Sequence, residues 1–311
     1  MKKTFVVIII VFMAFVFDTN ILGDTVYNTY DKYFEKHTGK IVSNENFLKS
    51  NDYHNDNYSE IIKETDNYTI NNKEELINVY YTAVNKGFDT LTFYCSKDYS
   101  SCMDDINSLD GINSDFSIIN QLVSVYNSYS SIESSYYNNG RVDIKITKRY
   151  KNEDIKKIDY RINEIINELG INNYDNIKDK IKVFHDYIAN TNTYDQVMAD
   201  NQKSNYHSDT AIGTLFEGKS ICSGYTDTMS LFLDKLKIKN VRIATEKHVW
   251  NAIFLDNKWY HLDLTWDDPV TSDGSNIIQY EYFLISSDEL KSKDIEEHNY
   301  DESQYSFIKK N

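Results

Sequence analysis

One stretch constrains the fold of this chain more than any other. Two apolar runs are joined by Asp256-Asn257, with a histidine heading the first and an aspartate late in the second. His248 to Leu255 and Lys258 to Trp266 read as β-strands. His248, Trp250, Ala252 and Phe254 alternate onto one face, as do Trp259, His261, Asp263 and Thr265. The polar pair between the runs predicts a tight hairpin. A two-residue loop pairs Leu255 with Lys258, sets Trp250 opposite Asp263 and makes His248 its diagonal neighbour. A four-residue loop sets His248 directly opposite Asp263. Either even-length loop keeps imidazole and carboxylate on one face, about 5 to 8 Å apart at Cβ. A three-residue loop parts them.

Upstream, Cys222 opens a predicted helix whose buried face is Tyr225, Met229, Phe232, Leu233 and Leu236. Gly218 and Gly224 bracket the entry, where the backbone must approach closely. A cysteine at a helix N-terminus meets the positive end of the helix dipole and several free N–H groups, which favour a thiolate. A thiolate, an imidazole and a carboxylate can together make a weak nucleophile strong. Taken alone, Cys222 reads as a buried apolar cysteine. His261, on the strand face of Asp263, is a competing base, and Asp267 and Asp268 compete with Asp263 as the orienting acid. His185 flanks an apolar helical stripe, where a packed or surface histidine is the commoner reading.

The rest of the chain supplies context. Lys2 and Lys3 precede an apolar run from Phe5 to Phe17, which spans about 20 Å as a helix. That is short for a bilayer core, so residues 1–23 are expected to be a cleaved secretory leader rather than an anchor. Residues 24–72 read as a polar, partly disordered spacer, with a pro-segment over the cleft as one use for it. Residues 73–150 read as a small α/β region with a helix over Glu74–Asn85, a strand over Thr90–Cys95, a helix over Ile118–Tyr126 and a strand over Arg141–Lys148. Residues 151–300 form the expected main domain. It opens with a helix through Ile155, Ile158, Ile162, Ile165, Ile166 and Leu169, stopped at Gly170, and a second through Ile177, Ile181, Phe184 and Ile188. Residues 301–311 read as a polar tail. The fold class is α+β.

Exported proteins meet oxidising conditions, and Cys95 and Cys102 enclose a short loop that a disulfide can close. Cys222 is then the odd cysteine. A formal net charge of -15 argues against nucleic acid as partner. No P-loop, dinucleotide fingerprint or metal-ligand spacing is present, so neither cofactor nor metal is expected.

In order along the chain stand Phe184-His185-Asp186-Tyr187-Ile188, Tyr194-Asp195, Gly218-Lys219-Ser220-Ile221-Cys222-Ser223-Gly224-Tyr225, His248-Val249-Trp250-Asn251 and Trp259-Tyr260-His261-Leu262-Asp263-Leu264-Thr265-Trp266-Asp267-Asp268-Pro269. Together they resemble the transglutaminase-like superfamily of papain-type cysteine enzymes, over roughly Tyr174 to Pro269. Thr226 stands where the family often has alanine, and Val249 where it has a small residue. The resemblance implies a papain-like core, with the nucleophile at a helix N-terminus packed on an antiparallel sheet. It makes Cys222 the nucleophile, His248 the base and then the acid, and Asp263 the group that orients His248. The backbone N–H of Cys222 becomes one oxyanion donor, with a second sought in Tyr206 to Thr210. Trp250 and Trp266 wall the site as substrate-binding residues or pack beneath it, packing being the commoner use.

The chemistry implied is acyl transfer on protein or peptide amides through a thioester, ending in hydrolysis or crosslinking. The substrate is a protein or peptide, cell-wall peptides among the classes suggested by export. A secreted or cell-surface location with no membrane span after leader cleavage is expected. The alternative is an exported surface-binding or assembly module that keeps the fold without the reaction.

Overall fold

The computed structural model describes residues 50–58, 61–108, 117–270 and 277–308. The expected leader, the first part of the expected spacer and the last three residues lie outside them.

Alternating apolar residues build a first sheet. β2 (Thr90–Cys95) and β4 (Arg141–Lys148) pair antiparallel, with Val142, Ile144 and Ile146 buried. β1 (Thr69–Ile70) runs parallel to β2, and β3 (Tyr129–Tyr136) antiparallel to β4, giving the order β1-β2-β4-β3. β3 carries four serines and buries none of its residues, so an apolar alternation cannot announce it. The helix Lys73–Asn85 adds Leu76, Val79 and Ala83 to the core of this region. Cys95 and Cys102 form a disulfide that ties the end of β2 to the helix Cys102–Asn107.

β5 (Thr193–Tyr194) and β6 (Lys219–Ser220) form a short parallel pair, and a further four-stranded sheet positions the site. β7 (Asn240–Ala244), β8 (Val249–Leu255), β9 (Lys258–Leu262) and β10 (Phe283–Ile285) are all antiparallel, in the order β10-β9-β8-β7. Leu255 pairs with Lys258, the two-residue register. Asp256 and Asn257 both adopt positive φ, 51° and 61°, the left-handed pair that a right-twisted hairpin requires and that Asp and Asn tolerate. The sheet is buried on both faces. Val241, Ile243, Trp250, Ala252 and Trp259 share one core with the first sheet, while Ile253, Leu255 and Leu262 join a second core with the helices. Those helices are Asn152–Glu168, Ile177–Thr191 and Cys222–Lys235, and Phe184 stacks on Phe232 with ring centroids 3.8 Å apart. Gly170 ends the run of the first of them with φ 59°.

Two expectations need correction. The strand read through to Trp266 stops at Leu262, and Leu264–Asp267 is a short helix capped by Asp263, whose Oδ1 accepts from the N–H groups of Thr265 (3.1 Å) and Trp266 (3.3 Å). The preference of aspartate for an N-cap outweighs the alternation of its neighbours. The helix read over Ile118–Tyr126 ends at Leu122, and Val125–Asn127 is a 3-10 turn. The apolar cluster of residues 73–150 continues into β7, β8 and β9, so the two regions share one core. The expected spacer and tail are packed where they are described: Tyr58, Ile62, Ile70, Tyr305 and Ile308 are all buried.

A buried ion network joins the two regions. Asp227, on the helix Cys222–Lys235, accepts from Arg149 Nη1 (2.9 Å) after β4, from Tyr150 Oη (2.7 Å) and from Arg242 Nη1 (2.9 Å) on β7. Removing one member of a buried ion network leaves the others uncompensated. Asp227→Asn, which strands two guanidinium groups, is expected to lower unfolding stability by about 3 kcal/mol. Urea denaturation of the two proteins at neutral pH checks this.

Candidate active site

Cys222 is the first residue of its helix, as its neighbours require. Gly218 takes φ 63°, a left-handed turn that delivers the chain to the helix start. A Cβ on Gly224 would lie 2.4 Å from Ser208 O, so only glycine lets the 207–210 loop lie against the helix. That loop is held by Asp195, whose Oδ2 accepts from Ser204 (2.6 Å) and Ser208 (2.7 Å), and Ser208 O accepts from Ile221 N at 2.8 Å. No side chain caps the helix, so its first N–H groups keep no cap partner where the thiol emerges. Cys222 is a free, partly exposed cysteine.

His248 and Asp263 meet as hairpin parity demands, with Nε2 2.6 Å from Oδ2. An ionised carboxylate only accepts, so Nε2 carries the hydrogen and Nδ1 is the nitrogen left for the thiol. Burial disfavours charge on the imidazole, but Asp263 and Cys222, both bonded to it, more than offset that and push its pKa up to about 10. Burial likewise opposes ionisation of Asp263, and the two histidines bonded to it hold it down at about 2. The pair is therefore imidazolium and carboxylate across the neutral range.

Trp250 is fully buried and stacks on His248, with centroids 5.7 Å apart and planes 15° from parallel. It offers no surface to a substrate, so packing beneath the imidazole is its role. Trp266 is half-buried against Tyr282 and His298, and it does not line the cleft that contains Cys222. The competing readings fall on geometry. His261 accepts from Trp250 Nε1 (3.1 Å), bonds Ser287 Oγ (3.0 Å), and burial drives its pKa down to about 3, so it stays neutral. Asp267 bonds His185 (3.2 Å) and Tyr282 N (2.9 Å), while Asp268 accepts from Tyr225 Oη (2.5 Å). His185 is wholly buried between Asp186 and Asp267, a packed histidine far from any base role.

In Tyr206 to Thr210, three N–H groups are already committed: Tyr206 to Ser204 Oγ, His207 to Glu217 and Thr210 to His207 O. The loop thus turns carbonyls toward the helix and withdraws those three as oxyanion donors. The two departures from the resembled family prove to be joined, since Thr226 Oγ1 donates to Val249 O at 2.9 Å and ties the helix that Cys222 opens to the strand that follows His248.

Two features escaped the sequence. His298 Nε2 also bonds Asp263 Oδ2, at 2.8 Å. It lies 35 residues beyond Asp263, so no spacing pattern flags it. His248, Asp263 and His298 have ligand atoms within 4.8 Å of one another, the arrangement among the described residues able to hold a metal ion. Shared protons on two Nε2–Oδ2 hydrogen bonds account for the same distances. The second feature is the cleft itself, an open groove of about 260 Å³ lined by Cys222, His248, Gln121, Arg149, Arg242 and Lys247, among others. No described residue of the expected spacer lines it.

Comparison with known proteins adds little weight. No protein-family model and no curated protein matches the chain. Among solved structures, a transglutaminase (TGase) is similar at 18% identity and TM-score 0.33, over 44% of this chain and 45% of that one. A candidate cysteine protease from Cytophaga hutchinsonii is similar at 17% identity and TM-score 0.28, over 48% of this chain and 65% of that one. This chain thus spans less than two thirds of either structure. The order of parts here is a cysteine opening a helix, a histidine just before one strand and an aspartate just after the next strand of an antiparallel sheet.

The raised pKa of His248 sets a sign. Its protonated form contributes stability fully below about pH 6.5, and that contribution disappears as pH rises through about 10. Histidine NMR titration is expected to place its midpoint near 10. In Asp263→Asn, where burial acts without the carboxylate, the midpoint is expected to drop by several pH units.

Proposed function

We propose that this protein is a cysteine-dependent acyl-transfer enzyme acting on protein or peptide amides. The observation that carries the reading is the position of His248, bonded through Nε2 to a buried carboxylate and through its remaining face to a cysteine that opens an uncapped helix beside a cleft. Each part has a task. The Cys222 thiolate attacks the amide carbonyl, and the C–N bond breaks as the His248 imidazolium gives its proton to the leaving amine or ammonia. The negative oxygen formed on the way sits at the positive end of the helix, where the Cys222 N–H can donate to it. His248, now neutral, takes a proton from water or a second amine as that nucleophile attacks the thioester. The thiolate leaves and the imidazolium is restored. Asp263 keeps the ring in the tautomer this cycle needs. Water as the acceptor gives hydrolysis, and an amine gives crosslinking.

Export is part of the proposal. The basic and apolar start of the chain and the Cys95–Cys102 disulfide both suit an oxidising, extracytoplasmic location, secreted or at the cell surface. Among the described residues no helix is long and apolar enough to cross a membrane. Peptides, including cell-wall peptides, are the proposed substrates.

Cys222→Ala is expected to abolish turnover of peptide amides while the thermal unfolding midpoint stays near that of the parent, and His248→Ala to abolish turnover with a lowered midpoint, because buried Asp263 then loses a partner. Asp263→Asn is expected to cut kcat by roughly 10³- to 10⁴-fold. Turnover that survives in pure Cys222→Ala protein rules the reading out. A substrate-free check is the rate of Cys222 alkylation by iodoacetamide at pH 6, read by mass spectrometry. It is expected to exceed that of a free thiol and to fall in His248→Ala.

A further inference from the structure

Asp263 is held by more than His248. Its Oδ2 takes a second hydrogen bond, from His298 Nε2 at 2.8 Å, while Oδ1 is fixed by the N–H groups of Thr265 and Trp266. His298 is itself buried, 5% exposed, and its Nδ1 makes no hydrogen bond. A buried imidazole with one nitrogen left unbonded is unfavourable relative to an apolar side chain of the same shape. Its place is aromatic on several sides: Trp250, Trp266 and Tyr282 lie with ring centroids 5.0, 5.3 and 5.0 Å away. Packing alone therefore does not call for a histidine here. The polar contact that does is the one to Asp263.

The segment that brings His298 is tied to the loop that brings His248. Thr245 Oγ1 donates to Glu297 O at 3.1 Å, Lys247 pairs with Glu296 at 3.1 Å, and Ala244 N donates to Tyr305 Oη at 3.2 Å. Tyr305 and Ile308 anchor the end of the segment in the core. His248 and His298 thus reach one carboxylate oxygen from two pieces of chain that are bonded to each other.

We infer that His298 is a positioning residue for the proposed reaction: its Nε2–H fixes Asp263 Oδ2 in line with His248, and the C-terminal segment is thereby a working part of the active site. The inference rests on the cysteine-enzyme reading for its purpose, but its physical content is the geometry of one hydrogen bond. A carboxylate with all its favourable acceptor directions occupied cannot rotate away from the imidazole when the imidazole loses its proton to the leaving group. Without His298, Oδ2 keeps one partner and that restraint is lost.

The test uses the full chain and three variants. His298→Phe keeps ring volume and removes the donor. His298→Gln restores an N–H at the reach of Nε2. His298→Met serves if the phenylalanine variant does not fold. Two readouts are taken on each, neither needing a substrate: the downfield proton resonance of the His248–Asp263 hydrogen bond, and the rate of Cys222 alkylation by iodoacetamide. In His298→Phe the resonance is expected to shift or broaden away and the alkylation rate to change by roughly tenfold or more, the scale on which orienting partners act. His298→Gln is expected to recover most of both. Where a substrate has been found, kcat is expected to fall with KM little changed. The inference is overturned if the resonance and the rate in His298→Phe match the parent within twofold, or if glutamine restores neither while thermal stability falls in both variants, as for a residue that only packs. If Cys222 in the parent reacts no faster than a free thiol, the cysteine-enzyme reading fails, and the resonance still decides whether His298 holds Asp263.

Discussion

The structure turns on one carboxylate. Asp263 follows a strand, caps a helix and bonds two histidines, and these tasks use both of its oxygens. Such a group is costly to bury unless every acceptor direction is filled. Here they are filled by backbone N–H groups of the next turn and by imidazoles from two distant segments, so burying the charge and assembling the site are the same event. The fixed carboxylate then sets the tautomer of His248 and the direction of its free nitrogen.

Around that group the molecule is built as a clamp. The central sheet is covered on one side by the N-terminal region and on the other by three helices, and the helix that Cys222 opens lies against β7 and β8. Rigidity is reinforced by polar ties where the parts meet. Asp227 bridges two arginines, Thr226 bonds the carbonyl of Val249, and Asp195 holds the loop that touches Gly224. The first two lie on the helix that Cys222 opens, and the third holds a loop that touches that helix. A site whose groups must stay within fractions of an ångström gains from supports of this kind, because elements fixed by packing alone can slide where elements fixed by hydrogen bonds cannot.

The same tie explains why the region between Lys73 and Tyr150 is not a separable module. Its sheet shares a core with β7 to β9, and Arg149 leaves it to enter the ion network under the cleft. The C-terminal segment joins the same core through Tyr305 and Ile308. Residues 73–150 and 301–311 were read from sequence as flanking material, and both contribute to the core beside the central sheet.

How much the sequence settled follows from the range of the interactions involved. The hairpin between His248 and Asp263 was legible because side chains alternate with a period of two and a two-residue turn of Asp-Asn admits only one parity. The helix at Cys222 was legible because its apolar stripe and flanking glycines are local. The end of the second strand was misread because aspartate's bonds to the next two residues compete with alternation, and a pattern cannot weigh them. β3 and β7 went unseen: one is polar on an edge, the other is buried on both faces, and neither alternates. His298, the commitment of the Tyr206, His207 and Thr210 N–H groups to local acceptors, the burial of Trp250 and the bridging by Asp227 were decided only by the tertiary structure. Each depends on residues tens of positions apart meeting in space, and no local periodicity records which distant groups will share one oxygen.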